Sequence, residues 1–370
     1  MYNWSVHSLV IKSLHVRAFR NLARLDVEWG ERFNIIAGDN GHGKTNLLEA
    51  LYVVSTSKSF RTSKVDELVG HHAALASVRA TVCEDGEARV QSVGLKPGSR
   101  SVKIDGKRPP TLAAFAVRSP VVVFHPGELS LSMGSSQGRR RLLDRTSLYA
   151  TAQSMADLDA YARAIRARQR ILEDRGAHAP ELFDWETLAV RHALAVMEHR
   201  ACAAKLLSAH AVSAFSRIAA PDLSFEIGYA PSAPRESTEY AAELSKFRNR
   251  DLARGSASIG PHRDELSLSL NGRPARGFAS QGQHRAITLS LKSAEIEAIG
   301  YARGVRPILL LDDVSSELDR DRTAALFSFL RELRGQVFLT TNRPELIVTG
   351  DDLSERREFL IAQGALVRTL

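Results

Sequence analysis

Residues 33–54 read FNIIAGDNGHGKTNLLEALYVV, and this stretch decides the fold. The apolar run from Phe33 to Ala37 is typical of a buried β-strand, and Asn46 to Val54 has the apolar content of a packed helix. Between them, GDNGHGKT matches the eight-residue Walker A pattern without a mismatch. A strand, a glycine-rich loop and a helix in this order predict a phosphate-binding loop.

Each part of this loop has an expected role in binding a nucleotide. Glycines let successive backbone N–H groups point at phosphate oxygens, and the positive end of the helix dipole faces the same place. Lys44 is expected to reach the β- and γ-phosphates, and Thr45 to ligate Mg²⁺. The predicted nucleotide-binding residues of the loop are Gly38, Asp39, Asn40, Gly41, His42, Gly43, Lys44 and Thr45.

A second apolar run supplies the acids that such a loop requires. Residues 308–313 read ILLLDD, so two aspartates directly follow four apolar residues. Asp312 is the expected partner of the magnesium ion, and Asp313 stands where a general base or water-positioning residue belongs. The candidate catalytic residues are therefore Lys44, Asp312 and Asp313, and the candidate metal ligands are Thr45 and Asp312.

Residues 280–283 read SQGQ and open a predicted helix that precedes the Asp312 strand. A serine and a glycine at a helix N-terminus can bind an anion, although the same pattern also caps helices. Lys44 already serves the phosphates of the chain's own nucleotide. We therefore predict that Ser280, Gln281, Gly282 and Gln283 complete the nucleotide site of a second copy.

Hydrophobic periodicity divides the chain into three parts. The first third is typical of strands, the middle third of amphipathic helices, and the last third of alternating helix and strand. Helices are predicted at Met155–Arg175, Glu181–Phe215 and Glu236–Arg250. We predict an α/β protein in which residues 1–124 and 256–370 form one domain, with residues 125–255 as an inserted, mainly helical arm.

Composition and charge narrow the function. The 370 residues are 44% hydrophobic and 25% charged, which excludes extensive disorder. Fifty basic and 42 acidic residues give a net charge of +8, which favours a polyanionic partner such as nucleic acid. Forty of the cations are arginine, the better phosphate ligand, but genome base composition can produce the same excess.

Other classes of site are not indicated. Cys83 and Cys202 are the only cysteines and lack metal-ligand spacing, which argues against a disulfide framework or a structural zinc. No stretch approaches the roughly 20 apolar residues of a membrane span. We therefore expect a cytoplasmic protein without a membrane partner.

Two groups of arginines are candidate DNA ligands. Arg139, Arg140 and Arg141 form a run, and Arg163, Arg166 and Arg170 share one face of a predicted helix. An ordinary solvated face explains the second group equally well.

The order of these motifs resembles the RecF family, ABC-type ATPases of chromosome maintenance and recombination repair. The resemblance covers most of the chain, and it implies an ABC-type P-loop ATPase head with a mixed sheet, an antiparallel β subdomain and an antiparallel helical arm. Further matching segments are Phe19-Arg20-Asn21, Lys58-Ser59-Phe60-Arg61-Thr62, Gly260-Pro261-His262-Arg263-Asp264 and Ser316-Glu317-Leu318-Asp319.

The resemblance also implies an activity. Such a protein binds ATP with Mg²⁺, dimerises on ATP, and binds DNA at the single-strand/double-strand junctions of gaps. It hydrolyses ATP weakly, stimulated by DNA, and works in the nucleoid with RecR and RecO to assist RecA loading. Arg20 is then expected near the nucleotide, and Asp319 in the D-loop that closes the dimer.

Two alternatives remain from the residues alone: the ATPase subunit of an ABC transporter, and a DNA clamp that ATP locks without significant turnover. Some positions depart from the family pattern. His42 and His284 stand where glutamine is expected, in segments interpreted as loops. Asp313 replaces the catalytic glutamate of transporter-type ABC proteins, Thr341 lies in the region of their switch histidine, and both departures favour slow hydrolysis.

Overall fold

The computed structural model describes residues 7–218, 223–313, 335–344, 347 and 355–369. The chain forms two compact units: Met1–Glu128 with Ile299–Leu370, and Leu129–Ala298. The predicted boundaries, after residues 124 and 255, differ from these, since residues 256–298 pack within the second unit. The division into an ATPase domain and an arm stays a prediction.

The strands and helices have the following bounds. The strands are β1 (Leu9–Phe19), β2 (Leu22–Glu28), β3 (Phe33–Ala37), β4 (Ala76–Glu84), β5 (Glu87–Lys96), β6 (Ser99–Ile104), β7 (Val121–Phe124), β8 (Phe225–Ala230), β9 (Glu265–Leu270), β10 (Arg273–Pro274), β11 (Ile308–Leu311), β12 (Val337–Thr341), β13 (Arg356–Ala362) and β14 (Ala365–Thr369). The helices are α1 (Lys44–Thr56), α2 (Leu112–Ala116), α3 (Ser130–Met133), α4 (Ser136–Ala150), α5 (Gln153–Arg175), α6 (Leu182–Ile218), α7 (Ser237–Lys246), α8 (Arg248–Arg254), α9 (Ala275–Phe278) and α10 (Gln281–Arg303).

The first unit contains two sheets. One is antiparallel, with strands in the order β2-β1-β4-β5-β6. The other has the order β14-β13-β3-β12-β11-β7, parallel except for the β13–β14 pair. The strands β3, β7, β11 and β12 are buried along their whole length, which explains why their sequences are mostly apolar.

Aromatic packing and one buried amide fix the amino ends of these strands. Trp29 lies edge-on to Phe338 and Phe359, with ring centroids 5.0 and 4.7 Å away. The buried Gln336 side chain accepts from the N–H of Ile11 and donates to the carbonyls of Ile11 and Gly30. Strand β1 of the antiparallel sheet is thus tied to the start of the parallel sheet.

The second unit is mainly helical and also holds the β10-β9-β8 sheet. Helices α5 and α6 run antiparallel, since Arg168 bonds Glu186 while Asp157, eleven residues earlier, meets His199. The fully buried Arg168 also donates to Asp251 and to the Leu244 carbonyl. These contacts hold the following helices against the α5–α6 pair.

The prediction of one helix at Glu236–Arg250 was wrong. The structure has α7 and α8, which meet at Phe247, where φ and ψ of −89° and 1° leave the helical region. Beyond this break, Asp251 accepts hydrogen bonds from Arg168 and from the N–H of Ser258. A buried ion pair therefore breaks a helix that local propensity alone would continue.

Candidate nucleotide-binding site

The carboxyl ends of three parallel strands bring the predicted nucleotide-binding segments together. Ala37, where β3 enters the glycine-rich loop, is paired with Thr341, the last residue of β12. Leu311, the last residue of β11, pairs with Leu339 on β12, so Asp312 emerges at the same edge. This edge is where open α/β sheets bind their ligands.

Backbone geometry makes the loop a phosphate cradle. Gly38 and Gly43 have φ of 154° and 108°, which side-chain-bearing residues rarely adopt. A Cβ at Gly38 would also meet the Ile361 carbonyl oxygen at 2.4 Å. The helix α1 begins at Lys44, so its first N–H groups, which have no intrahelical acceptor, face the loop.

Lys44 is held at the centre of this loop. Its ammonium donates to the carbonyls of Gly38 and Asp39 at 2.6 and 3.0 Å, and the residue is 7% exposed. A cation enclosed by the loop that carries the N–H donors is placed to meet phosphate oxygens.

Thr45 and Asp312, 267 residues apart in sequence, meet at the carboxyl ends of the strands. The Thr45 hydroxyl donates to Asp312 Oδ1 at 2.9 Å, and Asp312 is 6% exposed. A hydroxyl and a carboxylate are the hard oxygen ligands that Mg²⁺ prefers. The residues present therefore fit a magnesium ion held by Thr45 and Asp312.

Thr340 positions both acids and was missed by the sequence analysis. Its hydroxyl lies 2.9 Å from Asp312 Oδ1 and accepts the Asp313 N–H at 2.9 Å. Thr340 is fully buried in β12, and with the equally buried Thr341 it is the polar exception at the end of an apolar strand. That exception is the signal that sequence reasoning could have used.

Two of the segments quoted for the family resemblance contact Glu49, in helix α1. Arg20 binds this buried carboxylate through two 2.9 Å bonds, and Arg61 approaches it at 3.3 Å. Arg61 also donates to Asn46 at 2.7 Å. Glu49 lies five residues after Lys44, about 7.5 Å along the helix. Arg20 thus braces α1, and its predicted contact with nucleotide stays a prediction.

The SQGQ segment lies in the second unit and forms a reciprocal helix cap. The Ser280 N–H donates to Gln283 Oε1 at 2.7 Å, and the Gln283 N–H donates to the Ser280 hydroxyl at 3.3 Å. Ser280 and Gln281 are exposed, while Gly282 and Gln283 are half-buried. The exposed serine leaves the N-terminus of α10 open to an external anion.

His42 and His284 are the two histidines that stand where the family pattern has glutamine, and one of them is not in a loop. His284 lies in the first turn of α10, is 4% exposed, and its Nδ1 bonds the Ser132 hydroxyl at 2.8 Å. Burial lowers the pKa of this imidazole. The interpretation of its segment as a loop was therefore wrong, whereas His42 does lie in the loop, half-exposed.

Other predicted residues divide into several groups. Asp319 and the rest of segment 316–319 lie outside the described residues. Arg139 is buried and binds Glu265 through bonds of 2.7 and 3.0 Å, so the prediction that it contacts DNA was wrong. Arg140 donates to the Asp264 carbonyl, and burial lowers its pKa. Exposed arginines of the two groups are Arg141, Arg163, Arg166 and Arg170.

The Gly260–Asp264 segment has a structural account. Asp264 is fully buried and accepts from Arg200 at 3.0 Å and from the Tyr229 hydroxyl at 2.5 Å. His262 Nδ1 lies 2.6 Å from the Tyr161 hydroxyl. The segment therefore ties α5 and α6 to the sheet of the second unit.

A cavity of about 710 Å³ in the first unit is not part of this site. Its lining includes Trp29 and Arg32, which precede β3, whereas the glycine-rich loop follows β3.

Among helices in the described ranges, none is both long and apolar enough to cross a membrane.

Comparisons with known proteins agree with this geometry. The family model described as RecF/RecN/SMC N terminal domain matches residues 10–357. A DNA replication and repair protein RecF from Anaeromyxobacter sp. (strain Fw109-5) is 38% identical over 371 residues, covering 97% of this chain and 98% of that protein. The RecF of Myxococcus xanthus is 38% identical over 348 residues, covering 90% and 91%.

Solved structures agree as well. The recombination mediator protein RecF–ATP in the RecFOR pathway has a TM-score of 0.88 at 28% identity, covering 100% of this chain and 99% of that one. An Smc head domain from Pyrococcus furiosus has a TM-score of 0.55 at 16% identity, covering 98% and 96%, which shows the ABC-type ATPase head fold alone. The chain belongs to the RecF family of DNA replication and repair proteins.

Proposed function

We propose that this protein is an ATP-switched DNA-binding protein of recombinational gap repair. Two copies pair when each binds ATP and Mg²⁺, the pair holds DNA at a gap or junction, and slow, DNA-stimulated hydrolysis releases it. The observation that carries the proposal is the Thr45–Asp312 contact of 2.9 Å beside Lys44. It joins a phosphate-binding loop and a metal-binding acid from distant parts of the chain.

The residues of the site divide the work. The loop N–H groups and Lys44 bind the phosphates, and Thr45 with Asp312 holds the magnesium. The metal, when bound, neutralises charge on phosphate oxygens. Asp313 accepts the proton of the attacking water, and the Thr340 hydroxyl fixes the backbone from which Asp313 extends.

Dimerisation on ATP follows from the separation of the two anion sites along the chain. Ser280 is exposed at the N-terminus of a 23-residue helix. A phosphate that is already bound at Lys44 of another copy can accept hydrogen bonds from the N–H groups at this N-terminus. Two such contacts related by a twofold axis form an isologous dimer. ATP bound to both copies adds its binding free energy to their association.

Partners follow from the family. The RecF–ATP structure is of a recombination mediator in the RecFOR pathway, which supports RecR and RecO as partners of this chain. RecA loading as the outcome rests on the family resemblance. A protein with these partners acts at the nucleoid. The same names favour repair over the transporter-subunit alternative.

One alternative retains a structural argument. Asp313 is one methylene shorter than glutamate, and its main chain has φ of 50°. A general base that extends less far toward the attacking water than glutamate does would slow hydrolysis. This also agrees with a DNA clamp that ATP locks without significant turnover. Phosphate release measured with and without gapped DNA separates the two, because only the ATPase shows stimulation by DNA.

The proposed function is tested by binding. Wild type should bind a fluorescent ATP analogue in the presence of Mg²⁺, and Lys44→Ala should lose most of that affinity. With ATP, wild type should prefer a gapped duplex over an intact duplex of the same length. Equal ATP affinity of the two proteins contradicts the site, and equal affinity for the two DNAs contradicts the junction preference.

A further inference from the structure

The outer face of the antiparallel sheet carries two rows of side chains that cross all five strands. Strand register sets the rows, and the buried row between them, which includes Val16, Val78 and Val93, faces the core. We call these two rows the sheet face. One row is Arg24, Arg17, Ser77, Gly94 and Ser101, and the other is Asp26, His15, Arg79, Ser92 and Lys103.

The sheet face is cationic. It holds four permanent cations, Arg17, Arg24, Arg79 and Lys103, against one anion, Asp26. Asp26 is bound by Arg17 at 2.9 and 3.0 Å and by Arg24 at 3.2 Å, and these bonds lower the pKa of its carboxyl.

Two of the cations have no side-chain partner among the described residues. Arg79 and Lys103 are both exposed and bond no other side chain in the described part of the chain. They stand in the same row on β4 and β6, two strand spacings apart, or about 9.6 Å. Their charge is available to a ligand.

The rest of the face permits close approach. Between and beside the cations lie Ser77, Ser92, Gly94 and Ser101, which are small and present hydroxyl groups or bare backbone. Phosphate and sugar contacts of DNA-binding proteins use this set: arginine, lysine and serine. The acidic residue Glu28 lies beyond the two rows on this face, at the end of β2.

We propose that the sheet face binds the phosphate backbone of duplex DNA. The inference rests on the proposed function and assigns DNA contacts to residues outside the two arginine groups of the sequence analysis. An acidic protein is disfavoured as the ligand, because the two rows hold no apolar side chain to anchor it, and protein interfaces depend on aromatic and apolar anchors. Contacts of this kind carry no base specificity.

The test is the salt dependence of duplex binding in the presence of ATP. The variant Arg79→Ala/Lys103→Ala removes two phosphate contacts, so the slope of log affinity against log salt should become shallower by about 1.8. Ser92→Glu is the second variant. It places a carboxylate between Arg79 and Lys103, so it should weaken duplex binding although both cations are still present. ATP affinity should stay at the wild-type value in both.

The matched control is Arg163→Ala/Arg170→Ala, which removes the same charge from exposed positions of α5. It should leave the slope near that of wild type. An unchanged slope in Arg79→Ala/Lys103→Ala, or an equal change in the control, overturns the inference. The inference is also overturned if Arg79→Ala/Lys103→Ala still binds DNA like wild type but no longer binds an acidic protein partner. If wild type itself fails to bind duplex with ATP, the proposed function fails instead.

Discussion

The Thr340 hydroxyl gives the two acids after β11 different positions. It contacts the Asp312 carboxylate but holds Asp313 by its backbone N–H. The Asp312 side chain is therefore directed to Thr45, while the Asp313 side chain leaves a backbone with φ of 50°. These different directions agree with the proposed roles, in which Asp312 serves the metal and Asp313 the attacking water.

Replacing Asp313 separates binding from hydrolysis. Asn tolerates the left-handed backbone conformation, so Asp313→Asn removes only the carboxylate. Phosphate release should fall by about 10²-fold or more, with ATP affinity unchanged. Asp312→Asn is the control and should also weaken magnesium-dependent ATP binding. Wild-type turnover by Asp313→Asn would rule out the assigned role.

His262 makes stability depend on pH. Burial lowers the pKa of its imidazole, with Arg263 and Arg140 acting in the same direction and Asp264 opposing them. Nε2 lies 3.0 Å from the Ala257 carbonyl, so this nitrogen carries the proton and Nδ1 accepts from the Tyr161 hydroxyl. The neutral ring satisfies both contacts.

Stability should consequently fall in acid. The unfolded chain takes up the proton near pH 6.5, before the folded chain does, so the contribution of His262 is present above that pH and is lost as the pH falls toward the folded-state pKa. Urea unfolding at pH 7.5 and 5.5 should show a smaller pH effect in His262→Gln than in wild type. The lowered pKa of His284 leaves part of the effect in both proteins. Identical pH dependence would contradict this account.

Helix α10 begins with a cap whose two halves can be removed separately. Ser280 and Gln283 each accept the other's backbone N–H, so loss of either side chain should cost about 1 kcal/mol of stability. Of these two members of the predicted second-copy site, Ser280 is exposed to an external phosphate, whereas Gln283 is half-buried. Ser280→Ala and Gln283→Ala should thus be similarly destabilised, but only Ser280→Ala should lose ATP-dependent dimerisation. Equal dimerisation by the two variants would reduce the segment to a helix cap.

Local patterns predicted the elements that carry motifs. The strand, loop and helix around Lys44 were placed by their apolar runs and the Walker A pattern, although α1 starts two residues earlier than expected because the last loop residues are already helical. The four-residue strand Val121–Phe124 and the pair β13–β14 were missed, since short runs give no periodicity. The break at Phe247 depends on Arg168, 79 positions away, which no local window contains.

Across the whole molecule, long-range contacts limited the sequence analysis of the site. The α/β fold of an ABC-type ATPase head was predicted and is confirmed by the RecF and Smc structures. The contacts of Arg20 and Arg61 with Glu49 could not be predicted, because these arginines lie 29 and 12 residues from Glu49 in sequence. Helix and strand periodicities connect only residues that are a few positions apart. Burial also decided which arginines remain exposed, and sequence spacing does not report burial.

The central claim is that each nucleotide site takes Lys44 from one copy and Ser280 from the other. Lys44→Ala should fail to bind ATP, and Ser280→Arg should bind ATP but clash at the partner's phosphates. Each variant alone should stay monomeric. A mixed pair nevertheless contains one intact site, formed by Lys44 of the Ser280→Arg copy and Ser280 of the Lys44→Ala copy.

Sedimentation velocity of the two variants in a 1:1 mixture, with ATP and Mg²⁺, tests this claim most directly. The account predicts that dimers form in the mixture and in wild type, and that they disappear when ATP is left out. A mixture that sediments no faster than the separate variants, or a Ser280→Arg protein that dimerises alone like wild type, would contradict it.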